Sequence, residues 1–380
     1  MSYYEKTIYR LFDYPCDLLH CCFICGGMKP EINPVAYSVN LSEGYTGDFI
    51  RNEALANITE FSISPYSGPE TILYHDGYLY ASVKGGVILK MLPDGKEISE
   101  VVNTSGCILG FDFDHDGNLI FVDTSYDGVG GALLKTNLTV EHAQIELLTS
   151  SVEGKPLTFP DSVVIASDGK IYFSDASILR PMEDGNDPVI TSNRDAFRHT
   201  STGKVLVYNP ADKSTSVVIS GLAFANGMVL DESGKHLFVS ETQENRIWKI
   251  DADGRNLVKG DIGAKVFLDN LPGFPDNVAW GKKKIWVGFV SPRSDSLDSL
   301  AGDPFIRAVI IRFNEKGVTE DSRENSEYSH VFAFDEQGTI IENLQSTTIP
   351  YRKITGVCET DSALYLHSVN DRQTIAVLKK

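Results

Sequence analysis

Polar residues of the kind that ligate hard cations recur just ahead of short apolar strands. Glu70 precedes Thr71-Ile72-Leu73-Tyr74, Asp161 precedes Ser162-Val163-Val164-Ile165, Asn226 precedes Gly227-Met228-Val229-Leu230, and Asp276 with Asn277 precedes Val278-Ala279-Trp280. An acid or amide beside a buried strand is costly unless it finds a partner, so several at one register point to a partner held in common. Ca²⁺ is the simplest one, because it gathers about six to eight oxygens from carboxylates, amides, backbone carbonyls and water. Read singly, each residue has a structural explanation: Asn226-Gly227 is a turn dipeptide, and Glu70, Asp161 and Asp276 each follow a proline and could open a strand or cap a turn. Read together, Glu70, Asp161, Asn226, Asp276 and Asn277 make a metal site. Asp276, and after it Asp161, then become candidates for general-base or nucleophilic work. His199, in the loop before Lys204–Tyr208, is a further catalytic candidate if it overhangs the site; the alternative is an ordinary exposed loop histidine.

Residues so far apart can meet only if the fold repeats. A unit of apolar strand, polar turn and second aromatic or β-branched strand recurs along the chain. Its second strands are Tyr78–Ser82, Leu119–Asp123, Ile171–Asp175, His236–Ser240, Lys284–Gly288 and Ala363–His367. Third strands are predicted at 86–90, 204–208, 246–250 and 308–312, with Asp-Gly turns at 94, 116, 168 and 253. Six copies of a small antiparallel sheet predict an all-β, six-bladed β-propeller with a central channel. Its innermost strands would bring one register position from every blade to the axis, with Leu109 and Thr355 filling that position in the other two blades. Uneven spacing predicts insertions near 178–200, 291–306 and 339–352, read as loops over one face. Residues 1–60 are expected to form a short helical arm and a strand near Ile58–Ile63 that closes the ring, and residues 61–380 the propeller.

Composition narrows the function classes. The chain of 380 residues carries 34 Lys and Arg against 52 Asp and Glu, a net charge of −18. That charge repels nucleic acid and anionic lipid, which require a basic footprint, and suits cation binding and a small-molecule substrate. No run approaches the roughly 20 apolar residues of a membrane helix, and no signal peptide is seen, so a soluble protein is expected, with the cytoplasm the favoured compartment. Cys16, Cys21, Cys22 and Cys25 crowd around His20. Without a second pair at zinc-ligand spacing, they read as a buried apolar helix rather than a metal cluster. The oligomeric state is not legible.

Several longer motifs carry a resemblance. Gly68-Pro69-Glu70, Phe159-Pro160-Asp161, Gly221–Gly227, Glu241-Thr242 with Arg246-Ile247, and Asn270–Asn277 closely resemble the strictosidine synthase-like family and, more distantly, paraoxonases and gluconolactonases. The resemblance covers about residues 60–380. It implies a six-bladed propeller with a channel Ca²⁺ held at Glu70, Asp161, Asn226, Asp276 and Asn277, and hydrolysis of carboxylic esters or lactones. Position 161 is usually Asn in that family and is Asp here; the extra carboxylate should tighten Ca²⁺ and lower its Lewis acidity. The first histidine of the paraoxonase pair aligns with Leu109, and no histidine stands near Tyr126 for the second. The catalytic acid of the synthase branch falls at Ile354–Val357, where none is present, although Glu359 is near. The alternatives to a hydrolase are therefore Pictet–Spengler carbon–carbon bond formation and a non-catalytic binding propeller with a structural Ca²⁺.

Overall fold

The computed structural model describes residues 33–140, 144–185, 187–315, 328–369 and 371–380. They form six four-stranded sheets of antiparallel neighbours. Blade 1 runs Ile72–His75, Tyr78–Val83, Val87–Met91 and Ser99–Asn103; blade 2 begins at Ile108–Phe113, blade 3 at Pro160–Ile165, blade 4 at Ala225–Leu230 and blade 5 at Gly273–Trp280. Blade 6 consists of Ile354–Glu359, Ala363–Ser368, Thr374–Lys379 and, from the other end of the chain, Thr59–Ser62. That last strand pairs antiparallel with Thr374–Lys379, Thr59 facing Val377. Arg372 donates from its guanidinium to both carboxylate oxygens of Glu60 at 2.9 and 3.0 Å, pinning the closure.

The alternation along each second strand decides which interface a side chain joins, because successive residues point to opposite faces. In Leu119–Val122, Leu119 and Phe121 pack with Tyr80, Ile88 and Val102 of blade 1. Ile120 and Val122 pack instead with Val163, Phe173 and Leu206 of blade 3. The same division gives apolar clusters between blades 3 and 4, 4 and 5, 5 and 6, and 6 and 1. Strands buried on both faces therefore read as continuous apolar runs.

Three expectations require correction. The apolar run Ala308–Ile311 lies in a helix, Pro304–Glu315, and the third strand of blade 5 is Ser329–Phe334. Short apolar runs do not separate buried strand from buried helix, and Ile310 and Ile311 pack here against Phe197 and Phe274. The stretch at 339–352 is not wholly an insertion, since Ile340–Ser346 is the fourth strand of blade 5. The insertions near 178–200 and 291–306 are partly helical: α1 spans Pro188–Arg198, α2 Asp295–Ser299 and α3 Pro304–Glu315. The start of α1 has a local cause, with Pro188 at its first turn and Asp187 accepting from the backbone N–H of Val189 at 2.9 Å and of Ile190 at 3.1 Å.

The helical arm expected at the N-terminus, and Cys16, Cys21, Cys22 and Cys25, fall on residues 1–32, outside the described residues. Residues 33–58 run without a regular helix apart from a short turn at Gly47–Phe49. They strap the helical insertions, Val35 donating its N–H to Arg198 O and Tyr37 to Ala301 O. No helix among the described residues is long and apolar enough to cross a membrane.

Candidate functional site

Each innermost strand is interrupted at the residues singled out above. In blades 2 to 6 the ladder to the second strand skips between Ile108 and Phe111, Pro160 and Val163, Ala225 and Met228, Pro275 and Val278, and Ile354 and Val357. Two residues therefore face one, a β-bulge that leaves both out of the ladder and re-aims the strand. The bulged pairs are Leu109-Gly110, Asp161-Ser162, Asn226-Gly227, Asp276-Asn277 and Thr355-Gly356; in blade 1 the strand starts just after Glu70-Thr71.

The second residue of each pair alternates between a side chain and glycine around the ring: Thr71, Gly110, Ser162, Gly227, Asn277, Gly356. The glycines are required. A Cβ on Gly110 would lie 2.6 Å from Asp161 O, one on Gly227 2.4 Å from Val278 N, and one on Gly356 2.9 Å from Asn277 Cβ. Inner strands thus touch backbone to backbone. Ser240 Oγ of the strand behind reinforces this by donating to Asp276 O at 2.5 Å.

Above this ring is a chamber of about 750 Å³, including the part continuous with solvent. Glu70, Asp161, Asn226 and Asp276 line it, each over nine-tenths buried. Its walls carry Leu109, Phe159, Phe224 and Phe274, with Phe159 and Phe224 edge to face at 5.1 Å. Val189, Ser192 and Asn193 of α1 border it, as does Gln243, whose Nε2 donates to Ser192 O at 3.3 Å and whose Oε1 has no partner.

Asn277 stands just outside the lining and orients Glu70, its Nδ2 donating to Glu70 Oε1 at 3.0 Å and to Glu70 O at 3.1 Å. Thr355 Oγ1 donates to the same carbonyl at 3.1 Å. His199 is not part of the lining. It is buried at the left-handed C-cap of α1, stacked on Tyr37 at 3.5 Å, with Nε2 3.0 Å from Glu244 Oε1. It ties helix, strap and blade 4 together. Glu359 also lies elsewhere, accepting from Trp286 Nε1 at 2.8 Å.

Burial raises the carboxyl pKa values here. Desolvation, then the charges of Asp276 and Asp161, holds Glu70 well above the ordinary glutamate range. Desolvation and then Asp276 do the same to Asp161. Desolvation pushes Asp276 up to about 7, against a hydrogen bond from Asn226 that lowers it. Glu70 Oε2 and Asn226 Oδ1 are buried acceptors with no donor, each at a cost of about 1–3 kcal/mol. Among the described residues no three His, Cys, Asp or Glu side chains close on a metal by themselves. The set fits a hard cation that also accepts amide oxygen, as Ca²⁺ does. It does not suit a thiolate-bound metal, since burial pushes the nearby Cys107 thiol up to about 12.

A strictosidine synthase profile matches residues 161–254, and a strictosidine synthase-like N-terminal profile matches residues 47–91. Over these two segments the chain is similar to strictosidine synthase-like proteins. It is 26% identical over 283 residues to strictosidine synthase-like 6 of Arabidopsis thaliana, covering 72% of this chain and 71% of that one. It is 27% identical over 367 residues to the adipocyte plasma membrane-associated protein of Mus musculus, covering 90% and 82%. Solved structures share the fold: a gluconolactonase from Xanthomonas campestris superposes with a TM-score of 0.55 at 14% identity, covering 92% of this chain and 98% of its own. The calcium-binding protein regucalcin from Agrobacterium tumefaciens gives 0.53 at 11%, covering 84% and 93%.

The sequence reading passed over the chamber walls. Phe159, Phe224 and Phe274 stand two residues ahead of Asp161, Asn226 and Asp276, and that constant offset was the available signal.

Proposed function

We propose that this chain is a Ca²⁺-dependent hydrolase of carboxylic esters or lactones. The observation that carries the proposal is the pair of donorless buried oxygens, Glu70 Oε2 and Asn226 Oδ1, beside two further acids on the floor of an apolar chamber. Glu70, Asp161, Asn226 and Asp276 would hold the ion. Bound there, Ca²⁺ would supply Lewis-acid polarisation of a carbonyl, worth several kcal/mol in metal-assisted reactions. Asn277 and Thr355 keep Glu70 oriented, and Phe159, Phe224 and Phe274 seat the apolar body of the substrate.

Asp276 would take the proton of the attacking water as the water oxygen bonds to the carbonyl carbon; the carbon–alkoxide bond then breaks and the alkoxide receives that proton back from Asp276. Beside the bound cation Asp276 would be held ionised, the form that can accept this proton. Gluconolactonase among the fold relatives agrees with this chemistry, and the calcium-binding regucalcin agrees with the ion. The Pictet–Spengler alternative lacks its acid, because Ile354-Thr355-Gly356-Val357 offers none and Glu359 is committed to Trp286.

The test is hydrolysis of phenyl acetate and a panel of lactones, with and without chelator. Activity should vanish in EDTA, return with Ca²⁺ and be absent in a folded Asn226→Ala variant. Turnover that survives chelation, or none under any condition, rejects the proposal.

A further inference from the structure

The position two residues ahead of the axial one is Gly68 in blade 1 and Cys107 in blade 2, neither of which lines the chamber. Blades 3, 4 and 5 place Phe159, Phe224 and Phe274 there, whereas blade 6 places Lys353, and all four line the chamber. In blade 6 the cation thus occupies the position that forms the apolar wall in blades 3 to 5. By blade order it stands across the axis from Phe159. Lys353 and Phe224 also share a left-handed backbone, with φ of 53° and 66°. A bulky residue seldom takes that conformation, and such positions concentrate at functional sites.

Several lysines of this acidic chain are paired. Lys135 meets Asp114 at 3.0 Å, Lys170 meets Asp168 at 2.7 Å, Lys259 meets Glu241 at 2.5 Å and Lys284 meets Glu342 at 2.9 Å. Lys353 is half-buried and lines the same chamber as Glu70, Asp161 and Asp276. Its ammonium nevertheless makes no hydrogen bond or ion pair among the described residues. It is also the one lysine or arginine in the lining. Three carboxylates and a divalent cation leave the floor one negative charge in excess, which disfavours an anionic guest unless a fixed cation offsets it.

We propose that Lys353 selects substrates bearing a carboxylate, so that the chamber takes amphipathic ester or lactone anions, their apolar body against the phenylalanines and their carboxylate on Lys353. The substrate class rests on the hydrolase reading; the anion subsite can be measured without turnover. Two measurements separate them. The first is the ratio of kcat/KM for 4-acetoxybenzoate to that for neutral 4-acetoxybenzamide, in which any general loss of activity cancels. A charge-assisted hydrogen bond lost from this site should lower the ratio about tenfold or more in Lys353→Met and Lys353→Gln, while Lys353→Arg stays within about threefold of the parent.

The second is equilibrium binding of 1-naphthoate and 1-naphthamide to the Ca²⁺-loaded protein, followed by fluorescence. The naphthoate preference should fall by a similar factor in both neutral variants and persist in Lys353→Arg. If neither ester is hydrolysed, the hydrolase reading fails while naphthoate binding still decides the subsite. If the ester ratio and the naphthoate preference are unchanged in the neutral variants, the subsite is refuted whether or not the enzyme hydrolyses esters. Naphthoate binding that depends on Ca²⁺ and is indifferent to Lys353 refutes it as well, by placing the carboxylate on the ion.

Discussion

Replacing Asp276 by Asn should stabilise the ion-free protein while destroying its response to Ca²⁺. The carboxyl is displaced from an ordinary 3.8 to about 7 by burial, which at 1.36 kcal/mol per unit corresponds to about 4 kcal/mol. The sign follows from proton binding. The folded state holds this proton more tightly than the unfolded chain, so the associated stability is complete below about pH 4, declines through the window up to about 7, and is gone above it. At pH 8 the parent therefore carries the full penalty of a buried, unneutralised charge. The Asn variant does not, and it also relieves Glu70 and Asp161, both of which Asp276 raises.

The assay is urea denaturation in EDTA at pH 5 and pH 8. Raw slopes mislead here, because His330 and His367 are pushed down to about 3 by desolvation. Each is stabilising only as pH rises through its window toward 6.5, opposite in sense to Asp276. The difference between variant and parent cancels them. It should favour Asn by about 4 kcal/mol at pH 8 and by about 3 kcal/mol less at pH 5. Ca²⁺ should close most of the gap at pH 8, adding about 3 kcal/mol to the parent at a hundredfold excess over Kd and nothing to the variant. A chelated variant no more stable than the parent at pH 8 would refute the charge reasoning.

Two further outcomes follow from the packing. Gly227→Ala places a Cβ 2.4 Å from Val278 N and 2.5 Å from Asn277 Cα, both backbone atoms that cannot step aside; a loss of about 3 kcal/mol or more is expected in urea melts, and a change under about 1 kcal/mol would contradict the described ring. Glu241 accepts from Ala223 N and Trp248 Nε1 at 2.6 Å and pairs with Lys259 at 2.5 Å. Glu241→Gln should cost about 2 kcal/mol, below the figure for a fully buried pair because Lys259 is partly exposed, and an equal loss in Lys259→Met would attribute it to the ion pair.

The architecture was legible because blade strands are buried on both faces, so Leu119–Val122 or Ile285–Val287 announce themselves as short apolar runs. The axial register was legible because each bulged pair interrupts such a run with residues of the wrong polarity. What escaped had physical reasons. The run at 308–311 is apolar enough for either strand or helix, and only packing on Phe197 and Phe274 decides it. His199 is placed by a helix cap and a stacking partner some 160 residues earlier in the chain, which no local pattern encodes. Lys353 has no local signal, because its meaning lies in the offset from the axial position that it shares with three phenylalanines.

The bulges separate what the chamber displays from what keeps the sheets together. Because the two residues of each pair lie outside the ladder, the first of them can change chemical character without removing a backbone hydrogen bond of the ladder, while the glycines that follow in blades 2, 4 and 6 hold the spacing. Leu109 and Thr355 already illustrate this freedom, an apolar and a hydroxyl side chain in the same setting as Asp161 and Asp276. The propeller thus offers five interchangeable sockets on a fixed frame, and new chemistries can be introduced one socket at a time, beginning with Leu109, at little risk to folding.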